Sequence, residues 1–372
     1  MIRLATVFSG IGAVEWALKR LNIDHEIVFA CDNGEIDLGV DEKEFRDQIR
    51  KCQTLQEQKK LVDDIVKTKR KRNFVRETYL ANYNISNECF HHDIRFIDGT
   101  KYNDIDLFVG GSPCQAFSIM GYQRGFDDTR GTLFYDYARL VSEIRPKVFI
   151  YENVQGMLKH DHGKTWEVIK SVFEGLNYSL NIQVLDAKDY GIPQTRRRLF
   201  VVGFRNDLNI HNFQFPNPIH LNYTLQDFLQ TTTSYGNFNS VNGNIVLNRI
   251  PEDIDDKYFL SELVRNHVMS GGTGNYYTKP EIDLTIARPL LCTMHKMHRA
   301  GVDNYVTYKN KIRKLTPREC LRLMGYDDSF RIVVSDLQTY RQAGNSIVVD
   351  VMMAVLRSII ATNVFREENN NG

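Results

Sequence analysis

Residues 2–8 (Ile-Arg-Leu-Ala-Thr-Val-Phe) are apolar enough for a buried parallel strand, and Ser9-Gly10-Ile11-Gly12 follows directly as a turn. Over 13–21 the apolar residues Val14, Trp16, Ala17, Leu18 and Leu21 recur at helical spacing. A second strand spans 25–30 and ends at Cys31-Asp32, and further strand-like runs lie at 105–109, 148–151, 178–185 and 199–204. Helical patterns fall between several of these, notably 132–144 and 164–175. Strand, helix and strand in repetition predict an α/β fold with a doubly wound sheet.

Two regions break the rhythm. Residues 41–80 are dense in Glu, Asp, Lys, Arg and Gln, with Phe45, Ile49, Leu55, Leu61, Ile65 and Val66 interspersed. They predict one or two surface helices inserted after the second strand, and the basic block 67–72 reads as a solvated face rather than a nucleic-acid arm. Residues 206–285 are rich in Asn, Thr, Tyr and Gly without alternation, and read as a loop-rich second lobe. No internal repeat is visible. The expected division is a catalytic domain over 1–205 with the charged insertion, a smaller domain over 206–325, and a segment over 326–372 that returns to the first.

Composition changes this picture little. The chain has 372 residues, 42% hydrophobic and 25% charged, ordinary for a soluble protein. Neither a membrane span nor a secretory leader is expected, and six scattered cysteines (31, 52, 89, 114, 292, 320) suit a reducing cytoplasm. A net charge of +1 hides a local excess of cations from Arg288 to Arg322, opposed there only by Asp303 and Glu319. That excess fits either a solvated surface or a nucleic-acid face, and charge alone does not choose.

The candidate chemistry sits at strand ends. Gly10 and Gly12 allow a ligand to approach the first turn, and Asp32 at the next strand's tip suits ribose hydroxyls. A dinucleotide fingerprint wants a third glycine at position 15, but Glu15 stands there, which tolerates a ligand with a cationic amino-acid portion such as S-adenosylmethionine. Asp93, before Ile94, is either a helix cap or an acceptor for an adenine amino group. Cys114 follows the strand at 105–109 in Gly-Gly-Ser-Pro-Cys-Gln-Ala-Phe-Ser, and Glu152 ends the strand at 148–151. Cysteine beside glutamate suggests a nucleophile with a proton donor or acceptor; the alternative is an inert buried thiol. His91-His92-Asp93 and His160-Asp161-His162 match no zinc pattern, so no metal is expected. His295 and His298 read as DNA-facing or exposed, and Cys292, Cys320, Trp16 and Trp166 as packing residues.

These blocks, in order, resemble the cytosine-C5 DNA methyltransferases. Phe8-Ser9-Gly10-Ile11-Gly12 is similar to their cofactor turn, Pro113-Cys114-Gln115 to their catalytic loop, and Glu152-Asn153-Val154 to their second catalytic motif. Arg130-Gly131-Thr132-Leu133-Phe134, Gln194-Thr195-Arg196-Arg197-Arg198, Leu315-Thr316-Pro317-Arg318-Glu319 with Arg322-Leu323-Met324-Gly325, and Gln342-Ala343-Gly344-Asn345-Ser346 match further blocks. The chain departs by carrying Asp32 where many members have Glu, and by the length of the insertion at 41–80.

The resemblance implies a Rossmann-like doubly wound methyltransferase sheet with a smaller, loop-rich target-recognition domain. It implies methyl transfer from S-adenosylmethionine to C5 of a flipped-out cytosine through a covalent bond between cysteine and C6. Catalytic roles then fall on Cys114, Glu152, Arg196 and Arg198, the arginines holding the O2 side and a phosphate. Cofactor contacts fall on Phe8, Gly10, Gly12, Asp32, Asp93, Ile94, Pro113, Leu133, Asn345 and Ser346. DNA contacts fall on Gln115, Ser118, Arg130, Lys311, Arg313 and Lys314, with the segment 115–131 closing over the base and the 206–285 lobe reading the sequence. Double-stranded DNA is the expected partner of a cytoplasmic, nucleoid-associated monomer that works with a restriction endonuclease or alone. The rivals are a transfer-RNA cytosine methyltransferase, whose usual Pro-Pro-Cys-Gln core and Cys-Phe-Thr tripeptide are missing, and a silent DNA-binding protein on the same fold.

Overall fold

The first strand, β1 (Ile2–Val7), shows how the sequence builds the sheet. Successive residues of a strand point to opposite faces, and Leu4 enters one core while Ala5 and Val7 enter the other. The computed structural model describes residues 1–113, 133–273 and 276–366. Six more strands join β1: β2 (His25–Cys31), β3 (Phe90–His91), β4 (Leu107–Gly110), β5 (Val148–Val154), β6 (Tyr178–Asp186) and β7 (Arg197–Arg205). Their order is β3-β2-β1-β4-β5-β7-β6, with β1 to β5 parallel and β7 antiparallel to both neighbours.

Helices cover both faces. On one lies α1 (Ala13–Arg20), whose Trp16, Ala17 and Leu18 are at most 1% exposed. Burial of each such large apolar side chain stabilises by roughly 1.5–3 kcal/mol. The described chain also has α2 (Glu42–Lys51), α3 (Leu55–Thr68), α4 (Phe74–Asn82), α5 (Leu133–Ile144), α6 (Lys164–Glu174), α7 (Glu262–Val268), α8 (Pro317–Arg322), α9 (Asp336–Asn345) and α10 (Val349–Ala361). Helices α5 and α6 pack on the face opposite α1 and α10. Residues 336–361 are long and apolar enough for a membrane span by composition, yet they break into α9 and α10 and lie mostly buried inside the protein.

The insertion forms α2 and α3, each with an oxygen cap. Asp41 accepts from the Glu44 amide, and Thr54 and Glu57 make a reciprocal capping box. Their apolar faces build a small core of Leu38, Phe45, Ile49, Val62 and Phe96. The basic block beyond them is paired locally, Lys67 with Asp64 and Arg72 with Glu77.

The 206–325 stretch divides differently from the composition. Phe213, Leu225, Phe228 and Phe238, like Leu315, Cys320, Leu321, Leu323 and Met324, belong to the main core. A separate small core forms around Val268, Ala300 and Tyr305, with Val264 and Ile312 against it. Turn-rich composition marks loops but not which body they pack on, and the aromatic residues in 213–238 decide it for this stretch.

Candidate active site at the carboxyl edge of the sheet

The carboxyl ends of β3, β2, β1, β4 and β5 stand side by side, where open α/β sheets bind ligands. After β1, Phe8 holds φ of 52° and Gly10 and Gly12 hold 53° and 79°. A bulky residue in the left-handed region costs about 1–3 kcal/mol, and such strain gathers at functional turns. The two glycines differ. A Cβ on Gly10 would meet nothing nearer than the Phe8 carbonyl oxygen at 4.0 Å, whereas one on Gly12 would sit 2.3 Å from the Tyr83 ring. Gly10 thus leaves open space on the turn, and Gly12 admits α4.

Asp32 faces this turn. Its carboxylate accepts from the Gly10 amide at 3.0 Å and the Gly34 amide at 2.9 Å, and burial pushes it above the usual carboxylate range. Asn73 caps α4 and donates to the Asp32 carbonyl, so a helix end fixes the tip of β2. The open Gly10 face and the anchored carboxylate fit a ligand with ribose hydroxyls. Glu15 does not line the crevice as expected. It is 1% exposed, and its Oε1 accepts from Thr6 at 2.8 Å and from Tyr79 at 2.6 Å, while burial raises its pKa.

Asp93 follows β3 and caps the short turn Ile94–Phe96. Both its oxygens also accept from Arg95, Nη2 to Oδ2 at 2.6 Å, so an adenine amino group would share them. Ile94 is buried, Leu133 opens α5 half-buried, and Pro113 is exposed. Asn345 is exposed at the end of α9, and Ser346 is buried with its hydroxyl on Tyr326.

At the next tips β4 and β5 are clamped together. A Cβ on Gly111 would lie 2.5 Å from the Glu152 carbonyl oxygen, so only glycine permits this approach. Asn153 donates to the Ser112 carbonyl at 3.0 Å and to the Tyr151 hydroxyl at 2.9 Å. The backbone that leads to Pro113 is therefore fixed beside Glu152. Cys114, Gln115, Ser118 and Arg130, with the expected closing segment, lie outside the described residues.

Antiparallel pairing sets the rest. Glu152 stands opposite Phe200 and Val154 opposite Arg198, which puts Glu152 and Arg198 on one face as diagonal neighbours. The Arg198 Nε lies 3.1 Å from Glu152 Oε1, with side chains 21% and 14% exposed. Burial raises the Glu152 carboxyl, opposed by Arg198 and then by Arg196.

Arg196 departs from expectation. Its guanidinium is buried and donates to the carbonyls of Leu290, Gly344 and Ser346 at 2.8–2.9 Å. With those donors occupied it ties the start of β7 to the chain around 290 and 345, and is not presented to a phosphate. Burial, aided by the Arg198 charge, lowers its pKa to about 9.

Residues 56–361 match the family described as C-5 cytosine-specific DNA methylase. The chain belongs to that family. It is 38% identical over 292 residues to the Type II methyltransferase M.HhaI of Haemophilus parahaemolyticus, covering 77% of this chain and 84% of that protein. It is 35% identical over 304 residues to the Type II methyltransferase M.SsoII of Shigella sonnei, covering 78% and 72%. The crystal structure of S. pombe Dnmt2 methyltransferase superposes with a TM-score of 0.63 at 18% identity, covering 97% and 99%; that likeness shows the fold.

Among C-5 methylases the expected DNA face needs a correction here. Arg313 is 0% exposed and pairs twice with Glu319, each bond 2.8 Å. It cannot reach a phosphate. Arg322, also 0% exposed, pairs with Asp328 and donates to the carbonyls of Phe228, Thr233 and Ser234. Lys314 is half-buried over Tyr340, and burial lowers its pKa. Lys309 pairs with Asp253 and Arg288 with Glu281. Lys311 and Lys296 remain exposed. The sequence reading also passed over Asn73, Tyr83 and Arg95; an Asn three residues before Arg76 at a helix start was the available signal for the first.

Proposed function

We propose that this C-5 methylase modifies cytosine within a specific DNA sequence, with Cys114 as nucleophile and Glu152 as the group that engages the ring. The observation that carries the reading is the Glu152–Arg198 pair fixed beside the backbone that leads into Pro113-Cys114. The cofactor, S-adenosylmethionine, supplies an electrophilic methyl group. Gly10, Asp32 and the Asp93-Ile94 turn would hold its nucleoside, and Phe8, Gly12, Pro113, Leu133, Asn345 and Ser346 are proposed as further contacts.

The chain's own groups support the chemistry. Attack of the Cys114 thiolate on C6 forms an S–C6 bond and moves an electron pair toward C5. A free thiol near pKa ~8.5 is largely protonated at neutral pH, so the site must lower that value, or the thiol must pass its proton to a base or water as the ring accepts the charge. A Glu152 carboxyl with raised pKa can donate its proton toward the ring nitrogen as that charge builds. Arg198 holds this carboxyl, and its guanidinium is proposed to engage the O2 side of the base. Once the C5 electron pair has bonded the transferred methyl group, loss of the C5 proton to a base returns a pair to the C5–C6 bond and expels the sulfur as thiolate. Gln115, Ser118, Arg130 and Lys311 are proposed to contact DNA, and the 206–285 lobe to read base edges. The enzyme is proposed to act as a monomer in the cytoplasm on double-stranded DNA, without a metal, with a cognate restriction endonuclease or alone.

Bisulfite sequencing of DNA from a host that expresses the chain tests this directly. Protected cytosines at one recurring sequence are expected. Unprotected DNA together with methylated host transfer RNA would replace the DNA reading with the RNA one.

A further inference from the structure

The charged insertion is longer than a link between strands requires, and its side chains converge on one place. Arg46 of α2 donates Nη2 to Asp136 at 2.7 Å and to Glu42 at 2.9 Å. Glu42 Oε2 lies 3.5 Å from Arg95 Nη1, and Arg95 in turn grips both oxygens of Asp93. Phe45 packs edge-on against Phe96 with centroids 4.7 Å apart, and Gln58 of α3 donates to Asp98. From the other side, Arg139 of α5 donates to the Ile94 and Ile97 carbonyls and pairs with Asp136. The turn 93–98 is thus held between the insertion and α5.

We propose that the insertion is a positioning element for the cofactor crevice, with Glu42 and Arg46 acting through Arg95 on the Asp93 carboxylate. The inference rests on the crevice at the tips of β1, β2 and β3 being the cofactor site. Arg95 would otherwise be free to turn away from Asp93, since its own side chain is 24% exposed. Glu42 draws the guanidinium along the turn, and Arg46 fixes Glu42 by sharing it with Asp136. Asp93, at 3% side-chain exposure, then presents its oxygens in one orientation. An insertion that only added bulk would need its apolar core, but not a chain of charges that ends on a strand tip.

Calorimetric titration with S-adenosylhomocysteine separates the roles. Glu42→Gln and Arg46→Ala should each weaken binding by about fivefold to tenfold, as for coupled neighbours in one polar network. KM for S-adenosylmethionine should rise in parallel while kcat at saturation stays within about twofold. Arg46→Lys should restore part of the affinity, and Glu42→Gln, nearly isosteric, guards against a folding defect. Asp32→Ala serves as the control on the crevice itself. If Asp32→Ala weakens binding and the insertion variants do not, whatever their melting temperatures, the positioning role is overturned. If Asp32→Ala also leaves affinity unchanged, the crevice is not the cofactor site and the inference falls with it.

Discussion

The carboxyl edge of the sheet and the basic segment from Arg288 to Arg322 both concentrate charge, but they treat it in opposite ways. At the edge, Asp32 is held by two backbone amides and Glu152 by one arginine, and Glu152 keeps 14% of its side chain open. Those groups are oriented without being used up. In the basic segment Arg313 and Arg322 are closed off against Glu319 and Asp328; the Arg313 Nη atoms also reach the Lys314 carbonyl and Thr231, and Arg322 reaches the carbonyls around 228–234. Glu319 is itself complete, since it also accepts from the Gln230 and Thr316 amides. One region leaves oriented charge partly open; the other uses charge to join α8 to the chain around 228–234.

The largest expected effect belongs to the edge. Cys114→Ser should abolish methyl transfer, by more than about 10⁴-fold, because an alkoxide forms far less readily than a thiolate near neutral pH. Binding of S-adenosylhomocysteine should be unchanged. Wild-type enzyme should trap DNA that carries 5-fluorocytosine as an adduct stable to denaturing electrophoresis. Absence of the adduct on a methylatable site would remove the covalent step.

Arg313→Ala should act on the other side of the comparison. Breaking a buried pair leaves Glu319 uncompensated and should lower stability by about 3–5 kcal/mol in denaturant titrations. The salt dependence of DNA binding should stay as in wild type. A weaker salt slope with normal stability would mean that Arg313 reaches DNA and that its pairing with Glu319 opens.

Glu152→Gln should reduce single-turnover rates by about 10²-fold, within the range for a positioned acid. Burial raises the Glu152 carboxyl, so its proton persists to higher pH than on an ordinary glutamate. Rates that need that proton should fall as pH rises through the raised value, and the amide variant should lose this limb. Arg198 holds the pKa down, so Arg198→Ala should move the limb to still higher pH. A limb that moved downward would contradict the protonated-carboxyl role.

The described strand tips were legible because local constraints write them: apolar runs end in Gly-x-Gly, Asp32, Gly111-Ser112-Pro113 and Glu152, and the sheet brings consecutive tips together. The fate of the arginines was not. Arg196 closes on carbonyls 94 to 150 residues away, and Arg322 on carbonyls 88 to 94 residues away, which no spacing announces. Arg313 pairs with Glu319 only six residues on, yet that acid looked like one opponent among many cations. Counting charges along a segment gives its net sign; the field it presents depends on which charges are turned inward. Glu15 carries the same lesson at the turn, where Tyr79 from the far side of the insertion turns it inward.

Lys311 gives the smallest and most selective test. It is exposed on the hairpin that pairs Tyr305–Tyr308 with Lys311–Lys314, two residues from buried Arg313 on the same strand. Two positions of this short strand thus meet opposite demands, with Arg313 buried against Glu319 while Lys311 is left exposed. If the basic segment touches phosphate at all, it does so through residues such as Lys311 and Lys296. Lys311→Ala should leave melting unchanged, since truncation of an exposed charge seldom moves stability by more than about 0.5 kcal/mol. Affinity should drop equally on target and unrelated duplexes, and the slope of log affinity against log salt should shrink by about one. The set of methylated sites should not change, because a phosphate contact carries no base identity. Altered site preference at constant salt slope would instead place Lys311 at a base edge, and the hairpin would then belong to the reading surface rather than to the positioning one.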